Sequence, residues 1–193
     1  MVKRVFDLFF ALFLLALLFW LIILSVIIAA IDTGTNGLFI QARIGQFGAF
    51  FKIYKLRTIK ESAATGSISI SKLGLFFRKY RIDELPQLFN VLKGDMSFVG
   101  PRPDVSGYYD VLEGESRKLL ELKPGLTSTA AIKYSNEDEI LNDQADPLLY
   151  NDTFIFPDKI NLNLDYYYNQ SFWGDIKIIL QTIRATLLVS NSV

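Results

Sequence analysis

The amino-acid sequence predicts an α+β protein: an N-terminal membrane helix, re-entrant in shape, then a mainly helical cytoplasmic domain with a short β-hairpin and interfacial amphipathic helices. Three observations predict it. Leu8 to Ile31 is a run of 24 residues without a charge, long enough as a helix to cross a bilayer. Residues 38–58 are rich in aromatic and branched side chains broken by glycines, the pattern of paired strands. Beyond them, apolar residues recur at helical spacing in several segments. The expected division is 1–34 for the membrane-embedded helix and 35–193 for the cytoplasmic domain.

The apolar run would be about 36 Å long as one straight helix. A cleaved signal peptide is the competing reading, but the run is too long for such a segment and Asp7 stands at its edge. Lys3 and Arg4 precede the run, while Arg43, Lys52 and Lys55 follow it. Both flanks therefore favour the cytoplasm, and a helix that enters the membrane and returns satisfies both. The run contains neither Pro nor Gly, the usual causes of a break, so a single crossing is the alternative.

After the turn cluster "DTGTNG", the stretch "LFIQARIGQFGAFFKIYKLRT" reads as a hairpin. Lys55 and Arg57 lie two apart in its second strand and project from one face, either as solvated cations on an edge or as a pair gripping phosphate oxygens. "ESAATGSISIS" reads as a polar, mobile surface loop. A short helix over Leu73–Tyr80 then leads into "RIDELPQLFNVLKG". There Leu85, Leu88, Phe89 and Leu92 form one apolar helical face, Asp83 stands at the N-cap, Glu84 and Pro86 suit the first turn, and Gly94 stops the helix. Local physics alone accounts for both acids, so their presence does not by itself indicate chemistry.

Next, "GDMSFVGPRPD" holds Arg102 between two prolines, which restrict the backbone and lower the entropy lost on placing the guanidinium. A helix is expected over Glu115–Leu122, a turn at "KPG" and a helical acidic segment near residues 136–146. The last helix spans Phe172–Val189, with Ile176, Ile179, Leu180, Ile183 and Leu187 on one face. That face suits either the core or the membrane surface.

Composition restricts the chemistry. The chain has no Cys and no His, which excludes thiol nucleophiles, imidazole bases and the usual zinc sites. Carboxylates, hydroxyls, cationic side chains or an oxygen-bound metal must do any catalytic work. The net charge of zero conceals an asymmetry: residues 1–103 carry thirteen Lys/Arg against six Asp/Glu, and residues 104–193 seven against fourteen. The first half therefore attracts anions. Nucleic acid is not expected among them, because no basic stripe fits a known module and the chain is anchored in lipid.

Taken together, "DELPQLFNVLKGDMSFVGPRP" from Asp83 to Pro103 resembles the bacterial sugar transferases, the small monotopic polyprenyl-phosphate phosphoglycosyl transferases. The resemblance extends to "KRVFD", "QARIG", "FKIYKLRT", "KPGLT" and "SFWGDIKIILQTI", in that order. It implies transfer of a sugar 1-phosphate from a nucleotide diphosphate sugar, UDP-linked by analogy, to undecaprenyl phosphate. Such a reaction begins capsule, O-antigen or exopolysaccharide synthesis at the cytoplasmic face of the bacterial inner membrane. Asp83 would be the nucleophile, Glu84 its acidic partner, and the two together the site of Mg²⁺. Arg102 is the first candidate for a phosphate contact, followed by Arg57, Lys55 and Arg81. A homodimer and downstream glycosyltransferases are candidate partners. Two departures stand out: the family's Ser-Pro break in the membrane helix is replaced here by Phe19-Trp20, and Ser128–Ile132 replaces the family's Gly-Trp-Ala-Gln-Val after "KPGLT". The alternatives are a membrane-tethered nucleotide-sugar-binding scaffold without turnover, or a glycosyltransferase that moves the sugar alone.

Overall fold

The computed structural model describes residues 2–61 and 66–189. Its helical content, short strands and long apolar first helix match the expected α+β class. The chain forms two compact units, Met1–Arg43 with Phe51–Met96 and Thr186–Val193, and Ile44–Phe50 with Ser97–Ala185.

In the first unit, α1 runs unbroken over Val2–Thr33. Its buried row is Asp7, Ala11, Leu15, Ile22, Ser25 and Ala29, one helical stripe in which small residues permit close packing. The other faces expose Phe9, Leu12, Phe13, Leu17, Phe19, Trp20 and Ile27, an apolar surface that water would not tolerate over such a length. Both ends of α1 are held by this same unit. The Arg4 guanidinium donates to the carbonyls of Val91 (2.7 Å) and Leu92 (2.9 Å), whereas Ala29 packs with Leu56 and Phe77.

The expected hairpin is β1 (Leu38–Ile44) paired with β2 (Phe50–Leu56). Gly37 feeds the chain into it with φ +76°, and a Cβ there would lie 2.2 Å from the Val26 carbonyl oxygen. Only glycine supplies both that dihedral and that approach. The segment expected as a loop is instead framed by a second hairpin, β3 (Ile59–Glu61) against β4 (Ile68–Ile70), in register Ile59↔Ile70. Its isoleucines favour the pleated backbone over a polar coil; residues 62–65 lie outside the described residues. Helix α2 (Lys72–Lys79) starts at Ser71, whose hydroxyl accepts from the Gly74 N–H.

The helix expected from Leu85 differs in kind. A 3₁₀ helix spans Ile82–Gln87, and regular helix α3 begins only at Leu88 and ends at Lys93. Pro86 removes an N–H from the middle of this segment. The N-cap position belongs to Arg81, not Asp83, and is left-handed with φ +56°. A tighter turn also changes the buried row: Leu88 and Val91 are buried, three residues apart, while Phe89 is 44% exposed. Gly94 closes α3 in the left-handed conformation, as expected.

The second unit pairs β5 (Ser97–Val99) with β6 (Gly125–Thr127) in parallel. The helix expected over Glu115–Leu122 is a 3₁₀ helix, Gly114–Glu121. Four short or medium helices follow: α4 (Thr129–Lys133), α5 (Glu137–Asn142), α6 (Pro147–Tyr150) and α7 (Phe156–Asn169). The core of this unit gathers Ile44, Tyr109, Leu119, Leu120 and Ile160. Helix α8 covers Phe172–Val189, the expected bounds. It buries Asp175 and Ile178, while Trp173, Leu180, Ile183 and Leu187 are exposed. Most of the stripe foreseen as either core or membrane face is thus turned outward.

Candidate active site

The site forms where β2 meets the 3₁₀ segment. Lys55, the penultimate residue of β2, places Nζ 3.2 Å from Glu84 Oε1. Arg81 approaches the same oxygen with a guanidinium nitrogen at 3.7 Å. Glu84 is only 11% exposed, so its carboxyl sits between two cationic side chains rather than in open water.

Asp83 is treated differently. Its Oδ1 is buried and has no hydrogen-bond partner. Burial pushes its carboxyl up to about 6, the Glu84 charge adds to the rise, and Lys55, Arg78 and Arg81 pull against it. Two neighbouring carboxylates therefore lie in different surroundings: Glu84 faces two cations, while Asp83 is buried with one oxygen unpartnered. Arg81 itself is left-handed, a rare conformation for a side chain of its size. Such strain persists where the surrounding structure holds it.

Of the residues expected from the sequence, Asp83, Glu84, Lys55 and Arg81 come together. Arg57 does not join them. It lies just past the end of β2, its N–H donates to the Gly37 carbonyl at 2.8 Å, and its guanidinium sits 5.7 Å from the centre of the Phe39 ring. Its place among the cations near Asp83 is taken by Arg78, from the last turn of α2. Arg78 also donates from Nε to Thr58 Oγ1 at 2.9 Å. Arg78 is not among the candidates expected from the sequence; the signal available there is its spacing of three from Arg81.

Arg102 belongs to the second unit. Its side chain is exposed between buried Pro101 and Pro103, as a proline-framed loop predicts. The preceding Gly100 donates its N–H to the Thr127 carbonyl at 3.0 Å, and Gly125 donates to that of Pro101 at 2.8 Å. A Cβ on either glycine would meet opposing backbone at 2.2 Å. "VGPRP" and "KPGLT", far apart in sequence, are therefore one close-packed backbone contact. Ser128, in the stretch that departs from the family pattern, caps α4 by accepting from the Ala131 N–H at 3.0 Å.

Among the described residues no group of three or more His, Cys, Asp or Glu could cage a metal. Asp83 and Glu84 nonetheless fit Mg²⁺. They are hard oxygen donors, one with an unpartnered buried oxygen, and this ion is commonly held by one or two carboxylates with the rest of its shell from water and substrate phosphates.

The bacterial sugar transferase model matches residues 1–189. The chain belongs to the bacterial sugar transferase family. Members of the family similar to it include the uncharacterized sugar transferase EpsL of Bacillus subtilis (strain 168), 34% identical over 192 residues, covering 96% of this chain and 87% of EpsL. The UDP-glucose:undecaprenyl-phosphate glucose-1-phosphate transferase of Caulobacter vibrioides is 33% identical, over 98% of this chain and 71% of that protein. The UDP-N-acetylgalactosamine-undecaprenyl-phosphate N-acetylgalactosaminephosphotransferase of Aeromonas hydrophila is 30% identical over 96% of this chain, which spans only 44% of its length.

Proposed function

We propose that this family member transfers a sugar 1-phosphate from a nucleotide diphosphate sugar, a UDP-sugar by analogy with two of the relatives, to undecaprenyl phosphate. The observation that carries the proposal is the unpartnered, half-desolvated Asp83 carboxyl beside a Glu84 fixed by Lys55 and Arg81. In a chain without Cys or His, this is the group suited to covalent catalysis.

Asp83 attacks the phosphorus that bears the sugar. A bond forms between its carboxylate oxygen and that phosphorus, the bond to the bridging oxygen breaks, and the nucleoside monophosphate departs with the electron pair. An oxygen of undecaprenyl phosphate then attacks the same phosphorus and displaces the Asp83 carboxylate, leaving undecaprenyl diphosphate sugar. Lys55, Arg78 and Arg81 supply positive field for the diphosphate, which a bare carboxylate would repel. With Asp83 raised to about 6, roughly nine-tenths of the groups are ionised at pH 7. Mg²⁺ held by Asp83 and Glu84 would neutralise phosphate charge as it shifts to the leaving group. In the second unit Arg102 offers a rigidly framed guanidinium of the kind that binds phosphate bidentately.

The membrane placement fits an acceptor that is itself a lipid. Arg4 and Ala29 would be about 37 Å apart along a straight helix, yet each packs against the first unit. A single crossing would separate those ends by a hydrocarbon layer of about 30 Å. Common anchorage is what the re-entrant reading requires, whereas the unbroken course of α1 over Val2–Thr33 is what a single crossing requires; in both readings the catalytic residues lie on the cytoplasmic side of the inner membrane. The exposed apolar stripe of α8 suits the same interface. Capsule, O-antigen or exopolysaccharide synthesis is the expected context.

The test is nucleotide release by purified protein with Mg²⁺, undecaprenyl phosphate and a panel of nucleotide sugars. Nucleoside monophosphate release that disappears in Asp83→Asn and on chelation of the metal is expected. Nucleoside diphosphate release would identify transfer of the sugar alone, and binding without release would identify a scaffold.

A further inference from the structure

The reaction just described depends on β2 and the 3₁₀ segment meeting in one register, because Lys55 comes from the first and Asp83 and Glu84 from the second. Among the described residues no hydrogen-bonded strand ladder joins them. Besides the ion pair itself and a Lys93 Nζ–Tyr54 hydroxyl contact at 3.3 Å, Asn90 of α3, three residues past the 3₁₀ segment, ties the two together. Its residue is fully buried, at 0% exposure in the middle of α3. Its Nδ2 donates to the Lys52 carbonyl at 2.7 Å and to Asp95 Oδ2 at 3.3 Å, while its Oδ1 accepts the Tyr54 N–H at 3.2 Å.

In a strand, the carbonyl of one residue and the N–H of the residue two further on point to the same edge. Lys52 and Tyr54 are such a pair, and the Asn90 amide engages both as a neighbouring strand would. A side chain thus closes an edge of β2, using three of the four hydrogen-bonding valences of an amide. The anchoring end is firm as well, for the Asn90 carbonyl accepts the N–H groups of Gly94, Asp95 and Met96.

Resting on the proposed reaction, we propose that Asn90 is a positioning residue whose buried amide locks the Asp83-Glu84 segment to β2 and so brings Lys55 to Glu84. Lys55 follows the anchored Tyr54 directly, so little backbone freedom remains between lock and ion pair. Leucine at position 90 matches the side chain in size and offers no hydrogen bond. Aspartate keeps the size and an acceptor for Tyr54, but presents an acceptor to the Lys52 carbonyl and a charge to Asp95.

The experiment compares native protein, Asn90→Leu, Lys55→Gln and the double variant, in detergent with Mg²⁺, undecaprenyl phosphate and the nucleotide sugar that the native protein turns over. Amide hydrogen exchange at Tyr54 is followed in parallel. Expected are a fall in kcat of roughly tenfold or more in Asn90→Leu with KM for the nucleotide sugar little changed, and a double variant no worse than Lys55→Gln alone. Exchange at Tyr54 should accelerate at least about tenfold, as for a local opening rather than global unfolding. Additive losses, or an unchanged Tyr54 amide, would overturn the positioning role and leave Asn90 as packing alone. If Asn90→Leu does not fold, Asn90→Asp carries the same comparison with the same expected signs. A native protein without turnover would count against the reaction, whereas Tyr54 exchange would still decide whether the lock exists.

Discussion

The Nζ of Lys55 lies 3.2 Å from Oε1 of Glu84, and this contact joins the second strand of the hairpin to the turn that carries Asp83. Replacing Lys55 by Met removes the nearer of the two cations and leaves the Arg81 contact with Glu84, at 3.7 Å. Stability should fall by about 1–2 kcal/mol, as for a part-buried charge losing its nearer partner, and nucleoside monophosphate release by about tenfold or more. Thermal unfolding in detergent and initial rates measure the two effects separately. An unchanged rate would remove Lys55 from the site.

Arg78 and Arg57 should part company in the same assay. Arg78 bears on the charge state of Asp83, while Arg57 stands over Phe39. Arg78→Gln is expected to lower kcat/KM for the nucleotide sugar by about tenfold, and Arg57→Gln by about threefold or less. The reverse order would restore Arg57 as the phosphate ligand.

Asp83 links catalysis to stability with opposite signs. Its folded pKa of about 6 lies above the unfolded value of about 3.9, so the folded state binds the proton more tightly. Stability is therefore complete below about pH 4 and declines as pH rises through 6, reaching a cost on the order of 2–3 kcal/mol. In metal-free buffer Asp83→Asn should melt higher than the native protein at pH 7.5, lose that advantage near pH 4, and show no turnover. The native rate should fall as pH drops through about 6. Equal melting at both pH values would mean that the carboxyl is not desolvated as its burial suggests.

Arg81 allows strain to be separated from charge. Arg81→Ala loses the contact with Glu84 and keeps the left-handed backbone, whereas Arg81→Gly loses the contact and relieves the backbone. The glycine variant should be more stable than the alanine variant by about 1 kcal/mol, with both impaired in turnover. Identical melting temperatures would show that the conformation carries no strain.

Topology is open to direct labelling because the chain has no Cys. Val2→Cys and Asn36→Cys flank the membrane helix, and both should react with a membrane-impermeant reagent only from the cytoplasmic side. Labelling from opposite sides would establish a single crossing and refute common anchorage of Arg4 and Ala29 in the membrane.

Much of this protein follows from sequence order alone. The uncharged run gives α1 its length, because hydrophobicity summed over two dozen residues needs no tertiary context. The last helix, from Phe172, was legible for the same reason, as was the stop at Gly94, where glycine alone accepts the left-handed turn at no cost. The acids at 83 and 84 were legible through the motif around them. Other features arise only when distant segments meet. Whether Asp83 caps a helix or stands unpartnered depends on the left-handed Arg81 and on the 3₁₀ turn, neither of which local propensity encodes. Arg78 joins Lys55 beside the carboxylates because α2 as well as β2 is brought against them, and side-chain direction is set by packing. Asn90 reads in sequence as one polar residue within an apolar helix, and only the strand edge brought against it reveals the two hydrogen bonds that hold β2. Hydrophobic pattern is a sum over neighbours in the chain, whereas ion pairs and buried amides depend on neighbours in space.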